Sequence, residues 1–217
     1  KAIQQLEALS QDKSPIVRLY MAAVLQRIPI NERWNISTAL TSNTQDKDDH
    51  NIPKMIWFGL EPTIATDIER ALDLGINSNI PVIAEYIARR VINEDGIEQL
   101  IAASQKSSPN QISLLQGLRA ELENRSDLKP TSNWDKTYEI LRSDAATAAI
   151  ALEIGQLFGS AEAAIQLMAV LEDPQADVED RQTALTGLAS RAWPGLKPRL
   201  LEFIDNPDLS IQAIRAI

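Results

Sequence analysis

The feature that most constrains this chain is punctuation. Apolar residues fall at helical spacing and are interrupted roughly every 12–18 residues by a short polar turn. Many of those turns end in a capping residue followed by proline: Ser14-Pro15, Asn51-Ile52-Pro53, Asn79-Ile80-Pro81 and Ser108-Pro109. Proline suits the first turn of a helix, where its fixed φ is already helical and its missing N–H has no intrahelical partner to lose. Nothing alternates with period two for long enough to be a strand. Alanine, leucine and isoleucine dominate while aromatics make up only 5%, which also favours helix over sheet. The chain is expected to be all-α.

Taken in order, residues 1–10 place Ile3, Leu6 and Leu9 at helical spacing. The helix from Pro15 is expected to carry Ile16, Tyr20, Ala23, Val24 and Arg27 along one side until Pro29 stops it. A helix over 31–40 holds Trp34, Ile36 and Leu40, and 41–51 reads as a polar loop. Further helices are expected from Pro53 to Leu60, from the Asp67 cap to Gly75, over 81–91 and over 94–106. The next runs to Leu122, burying Ile112, Leu115, Leu118 and Leu122. The second half reads as segments over 133–142, 145–158, 161–171, 178–192 and 196–204, with a last one after Asn206-Pro207-Asp208. Helix pairs thus repeat roughly every 30–40 residues, the period of a right-handed α-α superhelix of the HEAT or armadillo kind. The stretches 12–27 and 173–191 share an Asp…Val…Arg order that resembles the start of a HEAT second helix, and 205–215 echoes it loosely. Residues 1–217 read as a single repeat domain, with a possible subdivision at the polar, Pro130-containing stretch 124–132.

Charge and composition narrow the function classes. The net charge is −9 and no Lys/Arg cluster is longer than Arg89-Arg90. A nucleic-acid binder needs a basic face to neutralise phosphates, so no nucleic-acid partner is expected; an anionic lipid surface is disfavoured for the same reason. The absence of cysteine removes disulfides, thiolate zinc sites, a cysteine nucleophile and covalent haem attachment. No apolar run approaches the roughly 18 residues of a membrane span, so no direct membrane insertion is expected. There is no initiator Met, and the chain stops inside an apolar periodic pattern at Ile211–Ile217, as a segment cut from a longer polypeptide would.

Chemistry-bearing residues gather between Asp46 and Pro62. Asp46, Asp48 and His50 are the candidate metal ligands, since Asp46 and Asp48 fit the first alternating positions of a calcium loop. Against this, His50 and Asn51 stand where an oxygen ligand and a glycine are needed, and Trp57 where a bidentate glutamate belongs. His50 is the only histidine, and most zinc sites need a second. The plainer reading is a solvated loop whose Asp and Asn side chains cap the next helix. No nucleophile elbow or Gly-rich phosphate loop is present, so no catalytic residue is assigned, no cofactor is expected, and the chain is read as not an enzyme. Trp57 and Phe58 are adjacent, so one narrow helix stripe cannot bury both; the plainer reading is a helix covered on two sides by longer neighbours, and the alternative is that one of the two reaches an inter-repeat groove or anchors a protein interface. Trp57→Ala is expected to cost several kcal/mol through a cavity. One of Arg89 and Arg90 is expected to pair with Glu85 or Glu61 inside the helix stack. Trp57, Phe58, Glu61, Arg89 and Arg90 are therefore the candidate interaction residues.

Two stretches, Asn51-Ile-Pro-Lys-Met-Ile-Trp-Phe-Gly-Leu-Glu-Pro62 and Ile80-Pro-Val-Ile-Ala-Glu-Tyr-Ile-Ala-Arg-Arg90, carry a family resemblance. The chain resembles the HEAT-like helical-repeat segment of the large membrane-bound dehydrogenases of the planctomycete–verrucomicrobial type. In that family the repeats lie between a β-propeller and a c-type haem domain with a Cys-x-x-Cys-His motif, neither of which lies in these residues. The resemblance implies a non-catalytic, extracytoplasmic scaffold whose partners are neighbouring domains of the same chain or another protein. The alternative is a repeat module with its own metal-dependent or enzymatic site around Asp46–His50.

Overall fold

The computed structural model describes residues 2–125 and 128–217. Among these residues the fold is all-α, with no strand. The chain divides into two compact units, Lys1–Asn124 and Arg125–Ile217, parting where the polar 124–132 stretch begins.

The first unit holds α1 (Ala2–Leu9), α2 (Pro15–Val24), α3 (Arg33–Thr41) and α4 (Ile52–Leu60), then α5 (Ile68–Asn77), α6 (Pro81–Asn93), α7 (Ile97–Ser104) and α8 (Gln111–Asn124). Pro15, Pro53 and Pro81 sit in first turns, where the sequence placed them, but Pro109 does not: α8 begins at Gln111, and Ser108-Pro109 lies in the turn before it. Asp67 caps α5 by accepting the Arg70 N–H at 2.9 Å. Pro62 does not end α4 outright: the chain tightens into a 3-10 turn over Glu61–Thr66. The even-numbered helices pack in succession, α2 on α4, α4 on α6 and α6 on α8. In the other row α1 packs on α3 and α5 on α7, and each odd-numbered helix also packs on the even-numbered one that follows it. The core is formed by wholly buried Leu25, Leu40, Ile56, Leu60, Ile64, Ile83, Ile87, Leu100, Leu114 and Leu118.

Two glycines set how closely the even-numbered row packs. A Cβ on Gly59 would lie 2.3 Å from the Leu25 Cβ, and one on Gly117 would lie 2.5 Å from the Glu85 carbonyl oxygen. Any larger residue at Gly117 would push α8 off α6.

The turns that join each pair are tied to one another. The Asn43 side-chain amide donates to the Ser10 carbonyl at 3.1 Å, Asn79 to Ser42 at 2.6 Å and Asn110 to Ser78 at 2.6 Å. Each acceptor in the second and third rungs belongs to the residue just before the previous donor, so the three bonds form a ladder. Its rungs span 33, 37 and 32 residues. Asn43 and Asn110 also close the C-terminal carbonyls of α3 and α5. An asparagine suits this place because one NH2 group can serve several carbonyls that helix ends leave unpaired.

One expectation about a buried face is overturned, at Ile112 on α8, and on α2 much of the apolar side faces solvent. On α2, Ile16 and Tyr20 are 64% and 66% exposed, and the inward side is Arg18, Ala22 and Leu25. The apolar stripe loses to an ion pair: Arg18 is drawn inward by Asp46 and by the Asp12 and Lys13 carbonyls at 2.6 and 3.0 Å. On α8, Ile112 is exposed and Leu114 is buried instead. The 41–51 stretch is also less loop-like than expected, with a 3-10 turn over Thr44–Asp46 and a buried Asp46.

The second unit holds α9 (Trp134–Arg142), α10 (Ala148–Phe158), α11 (Ala161–Glu172), α12 (Val178–Ser190), α13 (Leu200–Ile204) and α14 (Ser210–Arg215). Consecutive helices from α9 to α12 pack on one another, and α14 packs on both α12 and α13. Trp134 is wholly buried, edge-on to Phe158 with ring centroids 4.9 Å apart. A second cluster gathers Leu167, Leu171, Leu185, Leu188, Phe203 and Leu209. The three Asp…Val…Arg-like stretches share one local device. Asp12, Asp173 and Asn206 each accept the backbone N–H two residues on, at 2.7, 2.8 and 3.0 Å. Arg181 reaches back to the Leu171 carbonyl much as Arg18 does to Asp12.

Candidate functional site

All five candidate interaction residues line one groove in the first unit. It encloses about 500 Å³ and is bounded by Trp57, Phe58 and Glu61 at α4, Tyr86, Arg89, Arg90 and Asn93 on α6, and Glu121 on α8. Local geometry explains the gathering. Tyr86, Arg89, Arg90 and Asn93 follow the i, i+3, i+4, i+7 rule and so share one side of α6. Trp57 and Glu61 are one turn apart at the end of α4. Glu121 stands one turn beyond Gly117, where α8 lies close against α6.

The groove combines aromatic surface with ion pairs. The Trp57 and Tyr86 rings meet at 5.3 Å between centroids, tilted by 48°. Phe58 lies at the rim, 56% exposed, whereas Trp57 is half-buried. Of the adjacent pair, then, Phe58 is the one left to solvent. Arg90 donates through Nε to Glu61 at 2.5 Å and through Nη1 to Glu94. Arg89 donates through Nε to Glu121 at 2.9 Å. Of the two glutamates named as partners from sequence, Glu61 is the one that takes an arginine. These pairs hold long side chains in one orientation more than they stabilise, since partly exposed ion pairs contribute about 0–1 kcal/mol each.

Sequence reasoning missed Tyr86, Asn93 and Glu121. Helical spacing from Arg89 and Arg90 points to the first two. Glu121 is reachable only through the α6–α8 contact.

The acidic loop does not assemble a ligand set. Asp46 is enclosed with Arg18, their side chains 2% exposed, in a two-pronged bond with both N···O distances 2.6 Å. That carboxylate is committed to a guanidinium. Asp48 and His50 are exposed, so the three candidates do not converge. Asp49 accepts the Asn51 and Ile52 N–H groups, each at 2.8 Å, and these bonds hold its carboxyl below the usual aspartate range. It is a helix cap. Among the described residues no three His, Asp or Glu side chains lie together as metal ligands would.

Trp34 and Trp134 are buried in their units, and Arg70 stands over the Trp34 ring at 5.1 Å. Trp193 is half-buried beside a second groove lined by Leu196, Leu200 and Ile217. No single helix among the described residues is long and apolar enough to cross a membrane. Compared with protein-family models, with curated proteins and with solved structures, the chain matches none.

Proposed function

We propose that this chain is a HEAT-like repeat scaffold that binds protein through the groove over α4, α6 and α8, with no chemistry of its own. The observation that carries the reading is the convergence of Trp57, Phe58, Glu61, Arg89 and Arg90 on one face of the even-numbered helix row. Aromatic and arginine side chains with a solvent-facing rim are the usual anchors of protein interfaces. Support for the repeat architecture comes from the succession α2–α4–α6–α8 and from the asparagine ladder with its rungs of 33, 37 and 32 residues. By resemblance, the larger setting is a connecting segment between a propeller and a c-type haem domain outside the cytoplasm. Reading the gene on either side for those two domains tests that setting.

The binding reading is tested separately, by placing a photocrosslinking amino acid at Phe58 and, as a control, at Ile165, which is also exposed. A discrete protein adduct from position 58 that is absent from position 165 supports the groove. The same adducts from both positions, or none from position 58, refute it. The alternative of a metal-dependent site at Asp46–His50 is disfavoured by the commitment of Asp46 to Arg18.

A further inference from the structure

The groove's chemistry points to the kind of segment it takes. Three observations bear on this. First, three aromatic side chains (Trp57, Phe58 and Tyr86) line the same space. Second, the two arginines beside those rings turn to glutamates, Arg89 to Glu121 and Arg90 to Glu61. Third, the charges that line the groove balance, Glu61 and Glu121 against Arg90 and Arg89, while Arg90 also holds Glu94 outside the lining and the chain as a whole carries a net charge of −9.

We propose that the groove receives a basic peptide segment, with an arginine or lysine side chain laid against the aromatic rings and Glu61 and Glu121 as its counter-charges. The inference rests on the reading of the groove as a protein-binding surface. A cation over an aromatic face is attracted by the ring quadrupole, most strongly for tryptophan. The negative surroundings raise the local concentration of a basic partner and repel an acidic one. An acidic segment has Arg89 and Arg90 to approach, but it would arrive against the field of the whole chain.

The test is calorimetric titration of the full chain with three capped peptides of one apolar framework, carrying arginine, glutamine or glutamate at the same two positions. The arginine peptide is expected to bind, to weaken as NaCl is raised, and to bind about tenfold more tightly than the glutamate peptide. Phe58→Ala, at an exposed position, and Glu121→Gln are each expected to weaken it about tenfold. If the glutamate peptide binds as well as or better than the arginine peptide and Phe58→Ala abolishes that binding, this inference falls while the groove reading stands. If no peptide binds, or Phe58→Ala changes nothing, both fall.

Discussion

Replacing Asp46 by alanine is the sharpest test of how the first unit is held together. The carboxylate and the Arg18 guanidinium are both 2% exposed and joined by two bonds of 2.6 Å. Arg18 also donates to the Asp12 and Lys13 carbonyls, so it ties α2, the 12–14 turn and the 3-10 turn at Asp46 into one network. Removing Asp46 leaves a buried guanidinium with only those two carbonyls. Breaking a buried pair from one side costs about 3–5 kcal/mol, because the remaining charge stays desolvated. With a urea dependence of about 2 kcal/mol per molar, the unfolding midpoint of the first unit falls by about 2 M. The measurement is urea unfolding by circular dichroism, with hydrogen exchange over α2 and 43–51 to localise the loss. Arg18→Met combined with Asp46→Leu is expected to recover much of the deficit, since it removes both charges together. Raising NaCl leaves the wild-type contribution nearly unchanged, as the pair is enclosed. If Asp46→Ala shifts the midpoint no more than Asp48→Ala, whose side chain is solvated, the buried network does not hold the loop and the argument fails.

Other outcomes follow from the same geometry. Gly117→Ala sets a Cβ 2.5 Å from the Glu85 carbonyl oxygen and is expected to cost about 1–3 kcal/mol in urea unfolding. It also separates Arg89 from Glu121, so peptide binding falls with it. Asn110→Ala takes the side-chain donor from the Ser78 carbonyl and leaves that of Gly75 with the Ser78 N–H alone; it is expected to cost about 1–3 kcal/mol, more than Asn79→Ala at its exposed rung. Trp57 is half-buried rather than enclosed, so Trp57→Ala is expected at about 1–2 kcal/mol in the same assay, below the several kcal/mol of a core cavity. The two shifted aspartates act in opposite directions. Asp49 has a lowered value, so its cap contributes above the ordinary aspartate range and is lost as pH falls through that lowered value. Asp135 is raised by desolvation and by Glu162, so its ionisation opposes folding above its raised value and the penalty disappears as pH falls. Asp49→Asn is therefore expected to destabilise at neutral pH and Asp135→Asn to stabilise, with both differences vanishing in acid; denaturation series across pH read this out.

The sequence by itself determined that the chain is helical and where several of its helices start. Proline at the first turn, Asp67 as a cap and the apolar period act within a few residues, so they are legible without knowing the partner surface. It also brought forward Trp57, Phe58, Glu61, Arg89 and Arg90, because unburiable aromatics and paired charges are visible as composition. The tertiary structure decided which face turned inward. The exposed Ile16 and Tyr20 of α2 show why: burying a paired arginine took precedence over burying an apolar stripe, and its partner Asp46 lies 28 residues away. It decided as well that the five candidate residues meet in one groove, and that Glu121 joins them, since that contact depends on Gly117 letting α8 approach α6. A residue's neighbours one turn away are written in its sequence spacing. Its neighbours across a helix interface depend on how closely two backbones pack, and here one absent side chain sets that distance.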